Sequence, residues 1–107
     1  MSERTIRDLA AFKRERDHVL SIIDCYRKTH KPVYVSFEKN FVYDWALKEA
    51  KDTIAMAYGK RADTPLNVLE RMLMKYDTWA HTEAQSAEQF KVAAAAIEDL
   101  IDLILTS

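Results

Sequence analysis

The sequence predicts an all-α protein, a compact four-helix bundle, on three observations. Apolar side chains recur at the pitch of a helix in four successive stretches, the 107 residues include one glycine and two prolines, and the chain is 49% hydrophobic against 31% charged. The helical period selects rods over strands. Scarce glycine and proline leave long segments uninterrupted, where a small β fold needs many turns. The apolar content is that of a chain that folds, well away from the polar composition of disorder. At this length one core is expected, with residues 1–107 forming a single helical domain.

The first helix is expected from about Thr5 to Thr29, with Leu9, Phe12, Val19, Leu20, Ile23 and Tyr26 on one side. Arg27, Lys28, His30 and Lys31 gather at its end, where positive charge offsets the negative pole of the helix. Pro32 then pushes Lys31 out of helical geometry. Residues 33–37, Val-Tyr-Val-Ser-Phe, are rich in β-branched and aromatic types and read as a short extended segment. A lone strand leaves its backbone groups unpaired, so this segment is either a linker, the preferred reading, or a strand that pairs with a second copy of the chain.

A second helix is expected to start near Ser36 or Asn40 and to close at Tyr58, before the helix-ending Gly59. Its core face reads Tyr43, Ala46, Leu47, Ala50, Ile54, Ala57 and Tyr58. Thr64-Pro65 opens the third, because threonine caps free amides and proline in the first turn loses nothing by lacking one. Its stripe is Val68, Leu69, Met72, Leu73, Tyr76, Trp79 and Ala80, and its end falls near His81 to Ala84. Ser86-Ala87-Glu88-Gln89 reads as a capping box for the last helix. That helix turns Phe90, Ala93, Ala94, Ile97, Leu100, Ile101 and Ile104 inward. Four consecutive alanines within it allow close approach of a neighbour, so it is expected at the centre of the bundle.

Sixteen basic residues against seventeen acidic ones provide no global field to draw in nucleic acid, an anionic membrane or a charged substrate. The charged N-terminal stretch is no signal-peptide core, and Val92 to Leu105 is too short and too charged to span a bilayer. The lone Cys25 cannot form an intramolecular disulfide and fits a reducing compartment, so the cytoplasm is the expected location.

No chemistry stands out. His18, His30 and His81 are far apart, and the one Glu-x-x-His, Glu15 to His18, has no second copy on another helix as a di-iron bundle requires, so no metal is expected. Asp77 and His81 are spaced to touch on one helix, an ordinary surface contact. Glu98, Asp99 and Asp102 are assigned to the solvent side of the last helix. Cys25 falls beside an apolar stripe and reads as a buried, inert thiol. With one glycine there is no phosphate loop. The chain is therefore expected to be no enzyme and to hold no cofactor.

Two features depart from this plain pattern. Arg16 falls within the apolar stripe of the first helix. Its stem then covers the core edge while its guanidinium reaches water or a carboxylate on another helix, or else it meets a partner. The second helix is apolar on two faces, because Phe41, Trp45 and Met56 lie roughly opposite Leu47 and Ile54. It is either sandwiched between neighbours, the simpler reading, or open along an aromatic face. Phe41, Trp45, Met56, Arg16 and Tyr34 are the partner-binding candidates. The expected function is a small protein–protein interaction module, of inhibitor, immunity or adaptor type, that binds another protein or associates with itself. The alternative is a nucleic-acid binder using Arg4, Arg7, Lys13, Arg14 and the basic end of the first helix, which near-neutral net charge disfavours.

Overall fold

The computed structural model describes residues 3–56 and 64–107, with side chains of the first helix described from residue 11 onward. Among the described residues four helices and one 3₁₀ turn follow one another: α1 (Glu3–Thr29), α2 (Phe37–Met56), α3 (Pro65–Thr82), the turn Ala84–Ser86, and α4 (Ala87–Thr106). Among the described residues there is no strand, and the fold is the expected all-α bundle. Leu9, Arg4 and Arg7 have side chains outside the described residues, as do Ala57, Tyr58 and Gly59, the expected close of the second helix.

α4 is the centre. It packs most extensively against α3 and next against α2, whereas α1 lies chiefly on α2. Its Ala93 and Ala96 are fully covered, as are Ala46 and Ala50 of α2. Side chains no larger than a methyl let helix axes approach closely, and Leu47, Ile54, Leu69, Ile97 and Leu100 fill the space between them. Burying each large aliphatic side chain contributes about 1.5–3 kcal/mol, so this shared core is what holds the molecule together. Val92 and Ala96 belong to it as well, which makes the buried face of α4 wider than its sequence stripe suggested.

The ends of the helices follow local chemistry. Ser36 caps α2: its Oγ accepts from the Lys39 amide at 3.4 Å and its carbonyl from the Asn40 amide at 3.1 Å. Thr64 caps α3 as expected, its Oγ1 accepting from the Asn67 amide at 3.2 Å, with Pro65 in the first turn. The expected capping box at Ser86 does not form. Ser86 ends the 3₁₀ turn at φ −113° and ψ 12°, and its side chain makes no cap hydrogen bond. The turn has already drawn the Ser86 amide onto the Glu83 carbonyl at 3.1 Å, so the chain enters α4 in a tight helical path in place of an extended cap.

Residues 33–35 are bends, and the strand alternative is replaced by a side-chain clasp. The Asn40 amide donates to the Tyr34 carbonyl at 2.7 Å, and its Oδ1 accepts from the Tyr34 amide at 2.9 Å. Both main-chain groups of Tyr34 are thereby satisfied without a neighbouring strand. No helix among the described residues is long and apolar enough to cross a membrane.

Candidate functional site

Two clusters stand out, one polar and closed, one apolar and open. The polar one joins three helices. Tyr43 of α2 is fully buried, and its hydroxyl donates to Asp99 Oδ2 of α4 at 2.6 Å. The Tyr26 hydroxyl of α1 lies 2.6 Å from the Tyr43 hydroxyl oxygen. Since a phenol has one proton and Tyr43 gives its own to the carboxylate, Tyr26 is the donor in that second bond. Burial, then the hydrogen bond to Asp99, pushes the Tyr43 phenol far above its usual range, so it stays protonated at any ordinary pH. His30 stacks on Tyr26 at 4.8 Å between centroids, and Tyr34 meets Tyr43 edge-on at 6.2 Å. Burial and the Asp99 charge raise the Tyr34 phenol too.

Ion pairs flank this node. Arg27 grips Asp44 with two bonds of 3.1 Å, a geometry that holds the guanidinium charged, and Lys51 reaches Asp24 at 2.6 Å and lowers its carboxyl. At the basic end of α1, Arg27 is thus engaged by α2, and His30 Nδ1 donates to the Lys31 carbonyl at 2.9 Å. Charges and phenols here satisfy one another and secure α1.

Asp99 is a correction to the expected solvent face of α4. Glu98 and Asp102 are exposed, but Asp99 is half-buried, because it follows Val92 by seven residues and Ala96 by three, on the same covered side. Cys25 is a second correction. It is exposed, since two residues past the buried Ile23 it has turned about 200° around α1. His81 Nδ1 donates at 2.7 Å to the main-chain carbonyl of Asp77, not to its carboxylate. Among the described residues, no three His, Cys, Asp or Glu side chains gather in a way that suits a metal ion.

The open cluster is a groove of about 700 Å³ between α2 and α4. Phe37, Phe41 and Trp45 stand four residues apart on α2 and so form a ridge, in steps of about 6 Å. Val42, Phe90 and Ala93 make the floor, with Glu38 and Gln89 at the rim. The ridge is bare to solvent: Phe37 is 83% exposed, Phe41 65% and Trp45 41%. Behind it lies a packed aromatic wall. Trp45 meets Tyr76 at 6.2 Å, Tyr76 stacks on Phe90 at 6.3 Å, and Phe90 meets Trp79 at 5.2 Å. The Lys75 ammonium sits 5.0 Å from the Trp79 ring and 5.5 Å from that of Tyr76. Such mutual packing fixes the rings, so little rotamer freedom is left for a ligand to remove.

The sandwiched reading of α2 is overturned, because α1, α3 and α4 all pack on this helix yet leave its aromatic face open. Phe41 and Trp45 come together in the groove. Met56 shares the face and is 81% exposed, but it lies eleven residues further along and outside the groove. Tyr34 belongs to the polar node. Arg16 is on α1, its side chain 14% exposed, with Nη2 3.4 Å from Asp17 Oδ1 on the same helix. Phe37 and Phe90 were missed as site residues; the four-residue spacing from Phe37 to Phe41 was the available signal. No family model matches the chain, and no curated protein or solved structure matches it.

Proposed function

We propose that the chain is a non-enzymatic interaction module that docks a protein partner on the α2–α4 aromatic groove. The observation that carries this reading is the ridge of Phe37, Phe41 and Trp45, held out to solvent over a rigid aromatic wall. At 150–250 Å² per aromatic side chain, scaled by exposures of 83%, 65% and 41%, its three rings offer about 400 Å², the size of a patch that is often functional. Aromatic anchors beside a preformed pocket are the usual source of binding energy, and Glu38 and Gln89 provide the polar rim. The exposed lone thiol of Cys25 is in keeping with a reducing setting such as the cytoplasm. The nucleic-acid alternative gains nothing from Arg27, whose guanidinium is taken by Asp44.

The test is capture of partners from native extract by the chain and by two variants, Phe41→Lys and Trp45→Ala. Each removes an anchor that is substantially solvent-exposed, so circular dichroism should show the helices unchanged. Truncating a central anchor costs about 2 kcal/mol or more, so affinity should fall about thirtyfold or further. Partners retained at full strength by both variants would refute the reading.

A further inference from the structure

We infer that the groove's occupant is a second copy of this chain, with the two α2 helices antiparallel across a two-fold axis. The inference rests on the docking reading above and names its partner. A two-fold axis crossing α2 at the level of Tyr43 sets each residue opposite the one equally far beyond position 43. Phe41, two residues before, then meets Trp45, two residues after, and each pairing occurs twice. Glu38, five residues before, meets Lys48, five residues after.

These four residues share one face, within about 80° of the helix circumference at about 100° per residue. Glu38 and Lys48 are both exposed, and neither forms an ion pair among the described residues. Asp52 is exposed on the same face, nine residues after the axis. It falls just beyond the first residue of the opposing α2, where a negative charge is favoured by the helix dipole. One surface thus carries both halves of an aromatic contact and both halves of an ion pair, in mirror order along the helix. That order is what an isologous interface requires and what an arbitrary partner does not.

The area agrees with a reversible dimer. Two ridges of about 400 Å² give about 800 Å² of ring surface. The stems of Glu38 and Lys48, with the fully exposed Val35 beside Phe37, bring the total near 1,200 Å², the lower end for specific interfaces. The groove floor at Phe90 and Ala93 receives a ring from the second copy.

The experiment is sedimentation equilibrium of the purified chain over a wide concentration series, with Glu38→Lys, Lys48→Glu and the two combined. The wild type should pass from monomer to dimer as concentration rises. Each single reversal places like charges opposite one another at two symmetric positions and should weaken the dimer about tenfold. The combined reversal restores opposite charges at both positions and should recover the wild-type constant to within about threefold. A wild type that stays monomeric throughout, or a combined variant as weak as the singles, overturns the inference. Either result leaves the docking reading standing, since that reading fails by a different observation: capture of partners unaffected by Phe41→Lys and Trp45→Ala.

Discussion

Replacing Tyr43 by phenylalanine is expected to cost about 2 kcal/mol of stability at neutral pH, and by alanine about 4–5 kcal/mol. The two variants separate two contributions of one residue. Phenylalanine keeps the ring that is fully buried among α1, α2 and α4 but deletes the hydroxyl that gives a proton to Asp99 and takes one from Tyr26. A hydrogen bond to a charged group contributes more than a neutral one, and its loss leaves a half-buried carboxylate to find water. Alanine removes the ring as well and opens a cavity.

The same residue gives stability a pH dependence with a definite sign. A tyrosine in the unfolded chain loses its proton near pH 10. Burial and the Asp99 bond hold the folded Tyr43 proton well beyond that point, so its contribution is complete below pH 10 and declines as pH rises above it. The phenylalanine variant has no such proton. The stability gap between wild type and Tyr43→Phe should therefore narrow by about 1.4 kcal/mol for each pH unit above 10. Urea unfolding of both proteins at pH 7, 10 and 11 measures it. A gap that stays constant to pH 11 contradicts the proposed proton arrangement.

The second large effect is expected at the centre of α4, from changes of volume in opposite directions. Ile97→Ala removes buried methylenes from a residue with no exposed surface and should cost about 2–5 kcal/mol. Ala96→Leu adds methylenes at a covered position that has only a methyl, and should cost about 1–3 kcal/mol by forcing the neighbouring helices apart. Against a total stability of about 5–15 kcal/mol, either change is large. Denaturant midpoints should fall for both with unchanged slopes. A neutral Ala96→Leu would show that the helices are not held as closely as the covered alanines imply.

Much of this core was legible in the sequence. Tyr43, Ala46, Leu47, Ala50 and Ile54 are the buried residues of α2, as their period indicated, and the alanines of α4 do mark the central helix. What helical period cannot convey is which neighbours meet. Tyr26 and Tyr43 are 17 residues apart and Tyr43 and Asp99 are 56 apart, so the phenol chain exists only once three helices are assembled. Asp99 was misplaced because the stripe of α4 was drawn through Ile97 and Leu100 and left out Val92 and Ala96. The two apolar faces of α2 were visible, but a period reports a face without reporting whether anything covers it. Cys25 shows the reverse error: proximity in sequence to Ile23 suggested burial, and the turn of the helix carried it out to solvent.

The order of the helices along the chain differs from their order in space, and this bears on synthesis. The ribosome completes α1, α2 and α3 before the first residue of α4 is joined, at about 5–20 residues per second. Until then Leu47, Ile54 and Leu69 have no central rod to gather around, and the nascent polypeptide must wait for its hub. Final collapse therefore belongs to the moment when the Ala87–Thr106 segment clears the exit tunnel.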